Sequence, residues 1–129
     1  PNDLTLVAQI LKISSAYSPP PPDGFISPMT WGIEQNVIER FVAAGIPSEK
    51  VSFAKETFRF NYPGPPSALL GLFRLYYGPT MNAFDAAEKN GRADELQREL
   101  EALFHSQNTS PSQGTTSIPA TFLRVTVCV

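Results

Sequence analysis

The residue types that most often carry catalysis are scarce in this sequence. It contains one histidine, His105, and one cysteine, Cys128. His105 follows a helical pattern with no serine, cysteine or carboxylate partner at a recognisable spacing. We therefore expect His105 to lie at the end of a helix, where the helix dipole favours its positively charged form. His105 is also the sole candidate for a general base. No other catalytic residue can be named.

Cys128 lies in an apolar, β-branched stretch at the end of the chain. A reactive thiolate needs an accessible, electropositive setting, so we expect a buried and inert thiol. A single cysteine excludes an internal disulfide, and one cysteine with one histidine gives no set with metal-ligand spacing. The sequence predicts no metal site.

The acidic residues do not form a catalytic pair. Those from Asp85 to Glu101 are spaced as polar faces of helices, and no two share an apolar setting that would raise a pKa. Neither a G-x-G-x-x-G loop, a P-loop nor a G-x-S-x-G motif is present in the sequence. No segment is therefore predicted to hold a phosphate or a nucleotide.

The stretch FRLYYGPTMNAF, from Phe73 to Phe84, clusters aromatic rings around a Gly-Pro break. Arg74 lies within this cluster, one turn from Tyr77. Its guanidinium can bind a carboxylate or phenolate, stack on a ring, or reach water over the rings. From periodicity alone the cluster is either a core or the wall of a ligand site.

Size and charge exclude several classes of partner. The 129 residues suit one domain, residues 1–129, and the net charge is −2 with a pI near 5.3. Because no Lys/Arg cluster occurs, neither nucleic acid nor an anionic membrane surface is expected as a partner. With no apolar run near the ~18 residues of a membrane span and no signal segment, we expect a cytoplasmic location.

Periodicity predicts an α+β chain, mostly helical with two strands. A first helix, Leu4 to Tyr17, has Asn2 and Asp3 as candidate N-caps, and the Ser18–Gly24 segment with its four prolines ends it. The predicted order is helix, helix, strand, three helices, strand. Gly78 and Pro79 break the run of three helices, and Thr80 is the candidate cap of the helix that follows.

Both strands raise a packing question. In the first, Val51 to Phe60, the apolar residues change parity, which predicts a bulge near Lys55. The last, IPATFLRVTVCV, is apolar on both faces, as in an interior strand covered on both sides. Because two strands make a poor sheet, we expect further strands from a missing part of the protein or from another copy.

The chain resembles the C-terminal half of class I S-adenosylmethionine-dependent methyltransferases, in the small-molecule branch related to ubiquinone and menaquinone methyltransferases. The resemblance rests on four stretches in order: PPPP with the S-P-x-x-W-G box ending at Gly32, FRFNY, FRLYYGPTMNAF, and GTTSIPATFLRV. It implies a Rossmann-like sheet, with Val51–Phe60 as the sixth strand and Phe122–Val129 as the seventh. The cofactor-binding glycine loop of that family has no counterpart here, so the resemblance implies that this chain alone does not bind S-adenosylmethionine.

In that family this half mostly caps the acceptor substrate. The resemblance therefore implies a pocket for a small apolar or aromatic substrate, lined by six residues. These are Trp31, Arg74, Tyr76, Tyr77, Met81 and Phe84.

Three functions follow as hypotheses. The first is the substrate-binding cap half of a methyltransferase, unable to transfer a methyl group without its N-terminal half. The second is a free-standing protein derived from such a half that binds, isomerises or cyclises a small apolar molecule as an oligomer. The third is a non-enzymatic interaction module that uses its prolines and exposed sheet edge.

Overall fold

The structure, a computed structural model, describes residues 4–129. Within them the fold is α+β, with five α-helices and one two-stranded antiparallel sheet, which confirms the predicted class and order. The elements are α1 (Leu6–Ser15), α2 (Glu34–Ala43), β1 (Val51–Tyr62), α3 (Pro66–Tyr76), α4 (Gly78–Lys89), α5 (Ala93–Gln107) and β2 (Thr116–Val127), with 3₁₀ turns at Pro28–Gly32 and Ser48–Lys50.

Helix ends follow the local sequence with two exceptions. Gly45, with φ of +84°, ends α2 in the left-handed conformation that glycine adopts without strain. The break at Gly78-Pro79 is confirmed, but α4 already begins at Gly78, so Thr80 lies inside the first turn and is not the cap. The predicted caps Asn2 and Asp3 lie outside the described residues, and Thr5 holds the N-cap position of α1.

The predicted bulge in β1 is wrong. The two strands pair without interruption over twelve residues each, from Val51 opposite Val127 to Tyr62 opposite Thr116. The apolar residues of β1 change from odd to even positions because one face of the ribbon is covered at one end and the opposite face is covered at the other end. Near Tyr62 the buried side chains are even-numbered, such as Ile118 and Ala120, whereas near Val51 the half-buried ones are odd-numbered, such as Phe53.

Different helices cover these two faces. Helices α1 and α5 contact β2, and Ile118 belongs to the main core. Helix α2 contacts β1, and since it leads into Val51 through residues 44–50, it covers the other end of the ribbon. The fully buried Val37 of α2 lies outside the main core cluster, so the ribbon joins two separately packed regions.

The prediction that the last strand is covered on both sides is therefore wrong for the strand as a whole. Phe122 is 40% exposed, and Val129 is fully exposed beyond the end of β2. Cys128 is exposed and not buried, because it follows the last residue of the strand. Its backbone N–H still donates to the carbonyl of Lys50 at 3.0 Å.

The outer edge of β2 is closed by specific side chains near its start. The N–H of Ser117 donates to Asn108 Oδ1 at 2.8 Å, and the N–H of Thr121 donates to Thr5 Oγ1 at 3.3 Å. Between them, Pro119 has no N–H to satisfy, which suits an edge position. Backbone N–H and C=O groups point alternately toward the partner strand and away from it along an antiparallel ladder, so the outward groups of β1 are those of its odd-numbered residues. The N–H of Val51 donates to the carbonyl of Ser48, and no hydrogen bond from residues 4–129 reaches the outward groups that follow it.

The main core lies between the ribbon and helices α1, α3, α4 and α5. Phe73 stands at the centre of its aromatic part, with edge-to-face contacts to Phe60, Tyr77 and Phe104 at centroid distances of 5.3 to 5.5 Å. Such pairs add to the stabilisation from area burial. Phe104 is fully buried and links this cluster to α5.

Thr80 is a polar residue buried in the protein. Its side chain is fully buried, and its hydroxyl has no hydrogen-bond partner among residues 4–129. An unsatisfied buried hydroxyl costs free energy, so Thr80→Val should raise the free energy of unfolding by about 1 kcal/mol. Urea denaturation measures this.

Thr80→Ser is the matched control, because it keeps the hydroxyl and removes a methyl group. It should lower the free energy of unfolding by about 1 kcal/mol. A loss of stability in Thr80→Val would show that the hydroxyl has a partner, such as a buried water, and would contradict the assignment.

Candidate functional site

An apolar groove of about 900 Å³ lies between α1, the proline segment that follows it, and the first turn of α4. This volume is within the range of about 300 to 1,000 Å³ that is usual for small-molecule sites. One side of α1 forms its floor. Phe25, Met29 and several prolines form the opposite wall, and Pro79 belongs to the lining as well.

Helix α1 forms the floor because it has two apolar sides. Leu6 and Ile10 are fully buried in the main core. Ala8 and Leu11, at i and i+3 on a second side, line the groove together with Leu4, which lies just before the helix. The sequence does not single out these residues, because leucine and alanine at helical spacing are equally typical of a side that faces the core.

Tyr17 fixes the start of the proline wall. Its ring is buried, and its hydroxyl donates to Glu99 Oε1 on α5 at 2.7 Å. The guanidinium of Arg92 lies over the ring at 4.3 Å and pairs with Glu95 at 2.9 Å. Ser18 turns back and donates to the carbonyl of Ser14 at 2.9 Å, so the chain leaves α1 in a fixed direction.

Burial, together with the hydrogen bond to Glu99, raises the pKa of Tyr17 to about 12. The hydrogen bond from Arg92 lowers the pKa of Glu95. Burial also raises the pKa of Tyr77. At neutral pH both phenols are protonated and Tyr17 acts as a hydrogen-bond donor, which is a structural role.

The polar lining of the groove is uneven. Lys12 is the one charged residue among the lining residues, none of which is a carboxylate, and within residues 4–129 it forms no ion pair. Serine hydroxyls lie along the same lining. Ser14 is buried, and its hydroxyl has no hydrogen-bond partner among the described residues.

The six residues predicted to line a pocket are placed in several environments. Phe84 is buried in the core, and the Arg74 guanidinium lies over its ring at 4.2 Å. Arg74 also pairs with Glu88 at 2.9 Å, so its charge already has a partner on α4. Tyr77 is half-buried against Phe73, and the aromatic cluster is thus largely filled by its own rings.

The other three predicted residues are exposed. Tyr76 is 79% exposed at the end of α3, and Met81 is 40% exposed on α4. Trp31 lies in the Pro28–Gly32 turn with the guanidinium of Arg40 over its ring at 4.4 Å. None of the six lines the groove, although Trp31 and Met81 each lie two residues from a lining residue, Met29 and Pro79.

The predicted weak candidate for catalysis, His105, lies in the last turn of α5 and is exposed. It is not among the residues that line the groove. Among residues 4–129 no group of three or more His, Cys, Asp or Glu side chains is arranged to hold a metal ion. The groove therefore offers binding groups and no evident general base.

S-adenosylmethionine, implied by the family resemblance, does not fit the groove. Nucleotide sites hold a ribose through an acidic side chain and approach the ligand closely at glycines, and the lining contains neither a carboxylate nor a glycine. The groove therefore lacks the groups that would hold that cofactor.

The helices found within residues 4–129 are all too short or too polar to cross a membrane. Comparisons with protein-family models, with curated proteins and with solved structures each return no match.

The Tyr17 contact predicts a loss of stability in alkaline solution. Because the folded pKa is raised above the ordinary value near 10, the unfolded chain releases the phenolic proton first as the pH rises. The stabilisation is fully present below about pH 10 and is lost toward pH 12. Tyr17→Phe should flatten this decline and cost about 1 kcal/mol at pH 7, as measured by urea denaturation at several pH values.

Tyr76→Phe is the matched control, because it removes a phenol from the surface. Its effect at pH 7 should be smaller than that of Tyr17→Phe. An unchanged alkaline decline in Tyr17→Phe would show that Tyr17 does not carry it.

Proposed function

We propose that this chain is the acceptor-binding part of an S-adenosylmethionine-dependent small-molecule methyltransferase and that methyl transfer needs a second part that binds the cofactor. The resemblance of the sequence supplies the class of enzyme. The observation that carries the need for a second part is the ribbon, whose β1 edge receives no hydrogen bond from residues 4–129 after Val51. An open strand edge of this length is a ready template for pairing with another strand.

In this proposal the groove along α1 holds the acceptor. Its apolar lining binds the body of a small molecule and displaces water from it. The cofactor, held by the other part, supplies the methyl group. Trp31 and Met81 lie close in sequence to the wall of the groove, and we propose that they contact the acceptor at its rim, while Arg74, Tyr77 and Phe84 hold α3 and α4 together.

A cytoplasmic location remains part of the proposal. The exposed free thiol of Cys128 supports it, because free thiols persist in reducing compartments. Neither nucleic acid nor a membrane is proposed as a partner.

Calorimetric titration with S-adenosylmethionine tests whether cofactor binding needs the second part. Residues 1–129 alone should give no binding heat, since no residue of the groove fits the cofactor. The intact gene product that contains this chain, if it carries a strand and a G-x-G loop before Pro1, should bind the cofactor and transfer its labelled methyl group to an apolar acceptor. Tight binding by residues 1–129 alone, or an intact product that neither binds the cofactor nor transfers its methyl group, would contradict the proposal.

A free-standing small-molecule binder is the second candidate. It is favoured by one observation: residues of α1, the proline segment and Pro79 already form a groove of small-molecule size. Such a protein must cover the open edge of β1 by self-association. Sedimentation of residues 1–129 should then show an oligomer, and a folded, strictly monomeric species would count against this candidate.

A further inference from the structure

We infer that the groove along α1 binds an amphipathic monocarboxylate, with the apolar body of the ligand on α1 and the proline wall and its carboxylate paired with Lys12. This ligand class specifies the acceptor of the proposed function. The role of the ligand as a methyl acceptor rests on that proposed function. The binding itself is argued from the residues of the groove.

The shape and lining of the groove select an elongated apolar body. Leu4, just before α1, and Ala8 and Leu11 on the helix line the groove, and Phe25 and Met29 belong to the same lining. Leu4 is 81% exposed and Phe25 is 55% exposed. An apolar ligand that covers them removes this area from water, which is favourable at roughly 25 cal/mol per Å².

The charge in the groove selects the head group. Lys12 lies on α1 one residue after Leu11, and no carboxylate lies in the lining to neutralise it. Neither does a carboxylate elsewhere in residues 4–129 form an ion pair with it. An anionic ligand gains this attraction, while a cationic ligand meets repulsion and no compensating acidic group.

Ser14 gives a second, independent indication of a polar ligand atom. It is 4% exposed, it lines the groove, and its hydroxyl has no partner among residues 4–129. Buried hydroxyls are nearly always hydrogen-bonded in proteins. A ligand oxygen that accepts from Ser14 removes this cost.

The volume distinguishes a small molecule from a peptide or a second copy. Stable protein interfaces bury about 800 Å² on each partner. This site is a groove of about 900 Å³ with its walls held in place by Tyr17. Its size suits one ligand with a chain or ring system of drug-like dimensions.

Titration calorimetry with dodecanoate below its micellar concentration and dodecan-1-ol below its solubility limit tests the inference on this chain without any cofactor. The two probes share an apolar chain and differ in the charge of the head group. Dodecanoate should bind about fivefold more tightly than dodecan-1-ol, which is the expected contribution of one solvent-accessible ion pair. Lys12→Gln should remove this difference while leaving the binding of dodecan-1-ol unchanged.

Two further variants locate the site. Ser15→Trp places a large ring at an exposed lining position, so it should weaken both probes without disturbing the core. Lys89→Gln removes an exposed lysine that does not line the groove and should leave both affinities as they are. Circular dichroism confirms that each variant is folded.

Equal affinities for the two probes, or a preference for dodecanoate that survives Lys12→Gln, would overturn the assignment of the head group. Failure of both probes to bind, or binding that is indifferent to Ser15→Trp, would overturn the site. None of these outcomes depends on S-adenosylmethionine, so the proposed methyltransferase role is judged separately by the cofactor titration.

Discussion

The continuous ladder between β1 and β2 is the constraint on which the rest of the structure depends. It joins residues near the middle of the chain to its last residues, and every helix from α3 to α5 lies in the connection between the two strands. A two-stranded ribbon is marginal by itself. It persists here because its two ends bury opposite faces, one against α1 and α5 and the other against α2.

The position of α1 follows from this ladder and produces the groove. Thr5 bonds to the edge of β2 at Thr121, and the Tyr17 hydroxyl bonds to Glu99 of α5. With both ends attached, the side of α1 that carries Leu6 and Ile10 faces the core. The opposite apolar side is then left facing the proline segment, and a cleft results where a simple amphipathic helix would show a polar surface.

The aromatic stretch shows how a strong sequence signal can serve the core. The rings of Phe73 and Phe84 pack against other residues of the protein, and the guanidinium of Arg74 lies over Phe84 and pairs with Glu88. The family resemblance implied that Arg74 and Phe84 line a substrate pocket, whereas periodicity alone left the stretch as either a core or the wall of a ligand site. The groove residues carried a weaker signal, since Leu4, Ala8 and Leu11 are ordinary in a helix and Lys12 is ordinary on a surface.

The sequence by itself determined the class of fold, the order of the elements and most helix ends, because the glycine after α2, the Gly-Pro break and helical periodicity act over a few residues. The parity change within β1 was also visible, although its meaning was not. Only the tertiary structure decided that the strand stays regular and is covered on alternate faces, since this depends on where α2 and α5 pack. The same holds for the groove: which side of α1 faces the core is set by Thr121 and Glu99, residues more than eighty positions away in the chain, and no local pattern encodes such a contact.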